Sequence, residues 1–293
     1  MWVALALISA ACLGFYDVMK KLSVRDNDVL TVLMLNTVFG ALLMSPVLVG
    51  TMTAGDCSIM TASDHALIVV KSFIVLGSWI LGYFAIKHLP MTIQGPINAS
   101  RPVMVLVGAV AIYGEHLNLL QWCGISVGFF SLYMISRISA GEGITLRNSR
   151  WLWMAVGAAV LGAASALYDK FLLRHFRPLD VQAWYSFYQC IIMSCALAIV
   201  RKLSSSRPHR FSWRWTIPLI SIFLTVADIA YFYSLSLEGA MISIISMIRR
   251  GSVVIPFIFG AVVLHEKNFK AKAADLCILL ISLGLLVIGS TLG

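Results

Sequence analysis

Ten apolar runs, each near the length that carries a helix across a hydrocarbon layer, fix what this chain can fold into. About 20 predominantly apolar residues span the roughly 30 Å core of a bilayer. Runs of that kind occupy residues 2–20, 29–50, 65–86, 91–113, 119–136, 151–173, 181–200, 215–237, 241–264 and 273–292. Of the 293 residues, 60% are hydrophobic and only 12% charged, whereas a soluble domain carries about twice that share of charge. The joints between runs are too short to hold a soluble domain. The expected class is therefore an all-α integral membrane protein with ten transmembrane helices.

The ten runs read as two copies of five. Tyr16-Asp17 recurs as Tyr168-Asp169, Asp28-Val29 as Asp180-Val181, and GYF from Gly82 as AYFY from Ala230. Arg101 falls on Arg250, and GEHLNLLQ from Gly114 on HEKNFKAK from His265, which sets Glu115 on Glu266. All five anchors keep their order at offsets of about 150 residues. The polar stretch RISAGEGITLRNSR, residues 137–150, is the natural joint, so the expected units are 1–138 and 151–293. An odd number of helices per unit inserts the second copy upside down. That is the inverted-repeat plan of transporters, whose substrate sites lie near the midplane between the repeats.

The formal net charge of +9 is a topology signal, because most of it sits at the ends of the runs. Fifteen Lys and Arg follow the odd-numbered runs, from Lys20, Lys21 and Arg25 to Lys267, Lys270 and Lys272, and only Arg174 and Arg177 follow the even ones. Positive-inside bias then predicts both termini outside, in a multi-pass protein of the bacterial inner membrane. The partners expected are the lipid bilayer and a small-molecule substrate, with no nucleic acid, in a monomer or a homodimer. The first run has no basic residue before it, so no cleaved signal peptide is expected. Six cysteines form no CxxC pair and six histidines sit at run ends without metal-ligand spacing, so neither a disulfide framework nor a metal or other cofactor is expected.

Charge inside the runs is where function should be sought. An arginine at the bilayer centre costs about 2.5–3.5 kcal/mol on translocon scales, yet IISMIRRGSVVIP places Arg249 and Arg250 side by side in the ninth run. On a helical wheel Gln94, Asn98 and Arg101 share one face of the fourth run, and Ser243, Ser246 and Arg250 share one face of the ninth. Gly95, Pro96, Pro102 and Gly251 flank these arginines and weaken helical hydrogen bonding beside them. Arg101 and Arg250 are expected to clamp an anionic substrate, with Arg249 about 100° away and Asp228 its candidate partner. The competing reading pairs the cations Arg101, Arg249, Arg250, Lys71 and Lys170 with the few carboxylates at depth, Asp17, Asp169 and Asp228. Because cations outnumber carboxylates, a negatively charged ligand is favoured.

Tyr83, Tyr231 and Tyr233 are candidates to close a cavity, against the commoner role of packing. Trp184 and Tyr188 share a face of the seventh run and offer a stacking wall. Asp17, Asp169 and Asp228 are candidate coupling or gating groups, with capping and interhelical hydrogen bonding the alternative for the first two. Glu115 and Glu266 lie at run ends, where a structural role at a helix terminus is expected. No Ser/His/Asp constellation, catalytic carboxylate pair, HExxH or phosphate-binding Gly loop is present, so an enzyme is not expected.

KHLPMTIQGPINASRPVMVLVGAVAIYGEHLNLLQWCGISVGFF and EGAMISIISMIRRGSVVIPFIFGAVVLHEKNFKAKAADL resemble the repeat ends of the EamA-like branch of the drug/metabolite transporter superfamily. Glu115, Gln121 and Gly124 match its pattern of a Glu after helix four and a Gln and Gly opening helix five. In the second repeat Glu266 remains, while Lys272 and Asp275 replace the Gln and Gly. The resemblance implies the EamA-like fold, a central cavity and alternating access without ATP hydrolysis. It leaves the substrate open, because relatives move amino acids, sugars, nucleotide sugars, phosphorylated sugars and drugs. It also implies termini in the cytoplasm, opposite to the charge count.

Relatives that exchange sugar phosphates in plastids carry a basic pair on helix nine and a Lys on helix four, and Arg249-Arg250 with Arg101 is similar. The function expected is transport of a small anionic or zwitterionic metabolite, with organophosphates and carboxylates favoured. The rivals are an exporter of amino acids or drugs with structural arginines, and a lipid-head-group flippase.

Overall fold

A computed structural model of the chain describes residues 2–53, 61–113, 117–141, 149–172, 175–203, 211–237, 248–266 and 268–292. Among these residues the regular structure is helix alone. The helices are α1 (Trp2–Val24), α2 (Val29–Thr53), α3 (Ala62–His88), α4 (Met91–Ala99), α5 (Arg101–Tyr113), α6 (Leu119–Gly141), α7 (Arg150–Leu172), α8 (Pro178–Leu203), α9 (Thr216–Ser236), α10 (Val254–Val262) and α11 (Phe269–Leu292). Seven of them, α1, α2, α3, α6, α7, α8 and α11, contain stretches long and apolar enough to cross a membrane. Phe73, Phe129, Phe130, Trp153 and Ile199 point outward, as a surface solvated by lipid tails allows.

Helix ends follow from local chemistry. The Asp28 carboxylate accepts from the Thr31 amide at 2.9 Å and opens α2. Asn118 and Gln121 cap each other's amides at 2.9 and 3.0 Å to open α6. That reciprocal cap accounts for the Gln of the sequence pattern. The Gly of the pattern, Gly124, lets α11 approach, since a Cβ there would stand 2.6 Å from Leu286.

The fourth run, expected as one helix, is two. Pro102 has no amide hydrogen to give to Asn98, and the ladder breaks at Ser100, between α4 and α5. In the ninth run, residues 248–250 are helical, a 3-10 turn covers Gly251–Val253, and α10 follows. Both interruptions therefore adjoin an arginine, Arg101 in one and Arg250 in the other.

Association rests on small residues, because lipid supplies no hydrophobic drive between helices. Ala155, Ala158 and Ala159 of α7 are buried, and Ser78 Oγ of α3 donates to the Ala158 carbonyl at 2.7 Å. On the other side Ser9 Oγ of α1 donates to the Ala227 carbonyl of α9 at 2.6 Å. Positions 9 and 158, and 78 and 227, are each 149 residues apart, so one contact recurs with the serine on the opposite partner. Exchanging the two sets of five runs turns the α1–α9 contact into α3–α7 and the α5–α7 contact into α1–α10. The same exchange leaves α2–α8 and α6–α11 as they are.

Candidate functional site

The two helix interruptions meet at a cavity of about 180 Å³. α1 contributes Tyr16, Asp17 and Lys20, and α3 contributes Ser78, Trp79, Gly82 and Tyr83. Asn98, Arg101 and Arg250 come from the broken segments, with Leu224 of α9 behind them. Thus Arg101, Arg250, Asn98, Tyr83 and Asp17, singled out in sequence, line one space.

Arg101 Nη2 donates to Asn98 Oδ1 at 3.1 Å, which is the shared face read from the wheel. Its Nε is buried without an acceptor among the described residues. The guanidinium lies on Gly162 of α7, where an added Cβ would stand 2.7 Å from Cζ. Arg250 lies within electrostatic range of Arg101 and Arg249. No described carboxylate forms an ion pair with either Arg101 or Arg250.

The carboxylates at depth have other partners. Asp17 Oδ1 is 2.5 Å from Lys20 Nζ, one turn along α1. The Lys20 ammonium also lies 4.4 Å from the Tyr16 ring and 5.5 Å from the Tyr83 ring, cation–π contacts that hold it at the cavity wall. Asp169 pairs with Lys71 of α3 at 2.7 Å, and that ammonium lies 4.9 Å from the Tyr185 ring. Asp228 Oδ1 takes Arg249 Nη2 at 2.6 Å, and its Oδ2 accepts from Gln182 at 3.3 Å. Arg249 is also stacked 4.1 Å from the Tyr231 ring. Arg249 thus pairs with Asp228 and Tyr231 stacks on Arg249, and neither residue is among those that line the cavity.

Other sequence candidates lie elsewhere. Gln94 lines a crevice of about 10 Å³ with Asp17 and Asn98, and neither polar atom of its side chain has a hydrogen-bond partner among the described residues. Trp184 and Tyr188 do share a face, with ring centroids 5.8 Å apart. That face meets His65, whose Nδ1 is 2.9 Å from Tyr188 Oη, and neither residue lines the arginine cavity. Ser243 and Ser246 lie outside the described residues, as does Glu115. Lys20 carried a signal that topology absorbed: it stands one turn after Asp17, the spacing of a helical ion pair.

Glu266 performs its expected structural role across the molecule. Its two carboxylate oxygens accept from the amides of Met91 at 2.7 Å and Thr92 at 2.9 Å. They cap the first turn of α4, the helix that carries Asn98. From the other side, Lys21 Nζ donates to the carbonyls of Ile86 at 2.6 Å and Leu89 at 2.8 Å, closing α3. The corner leading into the site is held by two charges from distant parts of the chain.

A model of the EamA-like transporter family matches residues 1–137 and 149–290. A protein of Archaeoglobus fulgidus described as an uncharacterized transporter is 24% identical over 289 residues, covering 98% of each chain.

Proposed function

The chain belongs to the EamA-like transporter family, and on that premise we propose that it carries a small anionic or zwitterionic metabolite across a membrane, with Arg101 and Arg250 holding the substrate's charge. One observation carries the reading: Asp17, Asp169 and Asp228 are ion-paired with Lys20, Lys71 and Arg249, while Arg101 and Arg250 face the same cavity without an ion-pair partner among the described residues. With Asp17 and Lys20 offsetting each other, the lining keeps two positive charges. A guanidinium presents its donors in a planar fork that suits a carboxylate or a phosphate.

The size of the site supports a small substrate. Drug-sized pockets run to about 300–1,000 Å³, against about 180 Å³ here. An exporter of bulky drugs with structural arginines fits this less well.

Transport then follows an alternating-access cycle, secondary-active or facilitative, around a fixed site. In this reading residues 1–138 and 151–293 are inverted five-helix repeats. The recurring 9/227 and 78/158 contacts and the exchange of helix pairs support it. Discontinuous helices near the midplane are a common way for transporters to build a substrate site. The Lys/Arg-rich end is tied by Ser23 to Thr216 at 2.6 Å, Arg214 to Asp26 at 2.5 Å and Asn27 to the Ser212 carbonyl at 3.0 Å. The opposite end is tied by Lys71 to Asp169 at 2.7 Å and Tyr168 to the Leu67 carbonyl at 3.2 Å. Rocking of one repeat against the other breaks one set at a time. The charge count favours the Lys/Arg-rich end in the cytoplasm and both termini outside, in a bacterial inner membrane.

A thermal-shift screen of the purified protein against anionic metabolites tests the clamp. A ligand at 100 times its Kd adds about 2.7 kcal/mol of stability. Folded Arg101→Ala and Arg250→Ala variants are expected to lose that shift and the corresponding transport. Variants that keep both refute the clamp.

A further inference from the structure

Beside the arginine cavity lies a second, smaller space that the clamp does not use. It holds about 20 Å³, and a single water needs about 10–15 Å³ by the same kind of measure. Helices α2, α3, α8 and α9 enclose it, and among the described residues no charged side chain lines it. Asn36 and Gln189 are each 2% exposed and both face it. Ser221 Oγ donates to Asn36 Oδ1 at 2.8 Å, which fixes the carboxamide and turns its nitrogen away from Ser221. Among the described residues Asn36 Nδ2 then has no acceptor, and Gln189 Nε2, beside Tyr185, makes no hydrogen bond of good geometry. A buried donor left unpaired is costly, so two such donors on residues that line one space point to an occupant that supplies acceptors. Trp79 and Leu224 line both this space and the arginine cavity. The two chambers are neighbours across those side chains.

We propose that this chamber is a second subsite for the transported molecule, taking an uncharged acceptor oxygen, hydroxyl or carbonyl, borne by a substrate whose anionic group sits on Arg101 and Arg250. The inference rests on the clamp and adds to it a substrate class: oxygenated organic anions, such as polyol phosphates or hydroxy acids. Among the described residues the chamber has donors to offer and no carboxylate, so it selects against a body that carries an ammonium group. Its volume admits one oxygen-bearing group at a time.

The test compares two matched pairs of probes on the full chain purified in detergent: glycerol 3-phosphate against propyl phosphate, and 4-hydroxybutyrate against butyrate. In at least one pair the oxygenated member is expected to bind about ten-fold tighter, the worth of one well-made hydrogen bond. Asn36→Leu and Gln189→Leu should erase that difference while leaving the apolar member's affinity unchanged. If either leucine variant fails to fold, Gln189→Met keeps the length of the side chain and serves the same purpose. Equal binding within both pairs, or a preference that survives these substitutions, overturns the subsite and leaves the clamp standing. Failure of all four probes to bind, or binding indifferent to Arg101→Ala, overturns both.

Discussion

Gly162→Ala separates the position of one guanidinium from the stability of the fold. A Cβ at 162 would stand 2.7 Å from Arg101 Cζ and 2.9 Å from its Nε and Nη1. Carbon atoms in contact settle at about 3.5–4.0 Å, so the guanidinium must withdraw by about 0.8 Å or more. It is the far end of a flexible side chain, and α7 need not move. The strain of an off-rotamer arginine, about 0.5–1.5 kcal/mol, is offset by the helix propensity of Ala over Gly, about 0.8–1 kcal/mol. Thermal stability should therefore stay within about 1 kcal/mol of the parent. Binding should not. A hydrogen bond to a charged group contributes about 1.5–3 kcal/mol, so losing one weakens the anion about 10- to 150-fold. The assay is titration calorimetry with the best anion from the screen, alongside thermal unfolding. Gly77→Ala is the control, since its Cβ would meet only Leu161 Cδ1 at 3.4 Å. Parental affinity in a folded Gly162→Ala protein would show that Arg101 does not touch the anion.

Two further substitutions probe the charges that surround the site. Asp228→Ala strips Arg249 of its carboxylate, and breaking a buried pair costs about 3–5 kcal/mol. The side chains here are about one-fifth exposed, which places the loss in Tm near the lower end, and the double variant Asp228→Leu with Arg249→Met should recover most of it. A neutral single variant would refute the pairing. Glu266→Gln leaves one of the Met91 and Thr92 amides without its acceptor, at about 1 kcal/mol. Amide exchange at those two residues should accelerate, and unchanged protection would contradict the cap.

What the sequence reveals of this molecule depends on whether the signal is periodic. Arg101 and Arg250 are visible because an offset and a wheel both point to them. Asn98 comes with Arg101 because residues three apart on a helix are neighbours. The wheel says which residues share a face and not which way the face points. Trp184 and Tyr188 stack as their spacing requires, yet the face they form meets His65. The pairing of Asp228 with Arg249 is legible as a count of charges at depth, whereas that of Asp17 with Lys20 is masked by a run-end lysine that also reports topology. The second chamber is the least legible of all. Asn36, Gln189 and Ser221 stand on three different helices, and only packing brings them together.

The caps on the corner between α3 and α4 also set an order of assembly. The amides of Met91 and Thr92 are satisfied by a carboxylate 175 and 174 residues further along the chain. Asn118 likewise gives its side-chain N–H to the carbonyl of Gly289 at 2.5 Å. During synthesis the first half enters the membrane with these groups still waiting. It can thread its helices, but it completes the corner beside Asn98 and Arg101 only once Glu266 has left the ribosome. The proposed site is thus among the last parts of the molecule to mature, and a chain truncated at the joint has no means of finishing that corner.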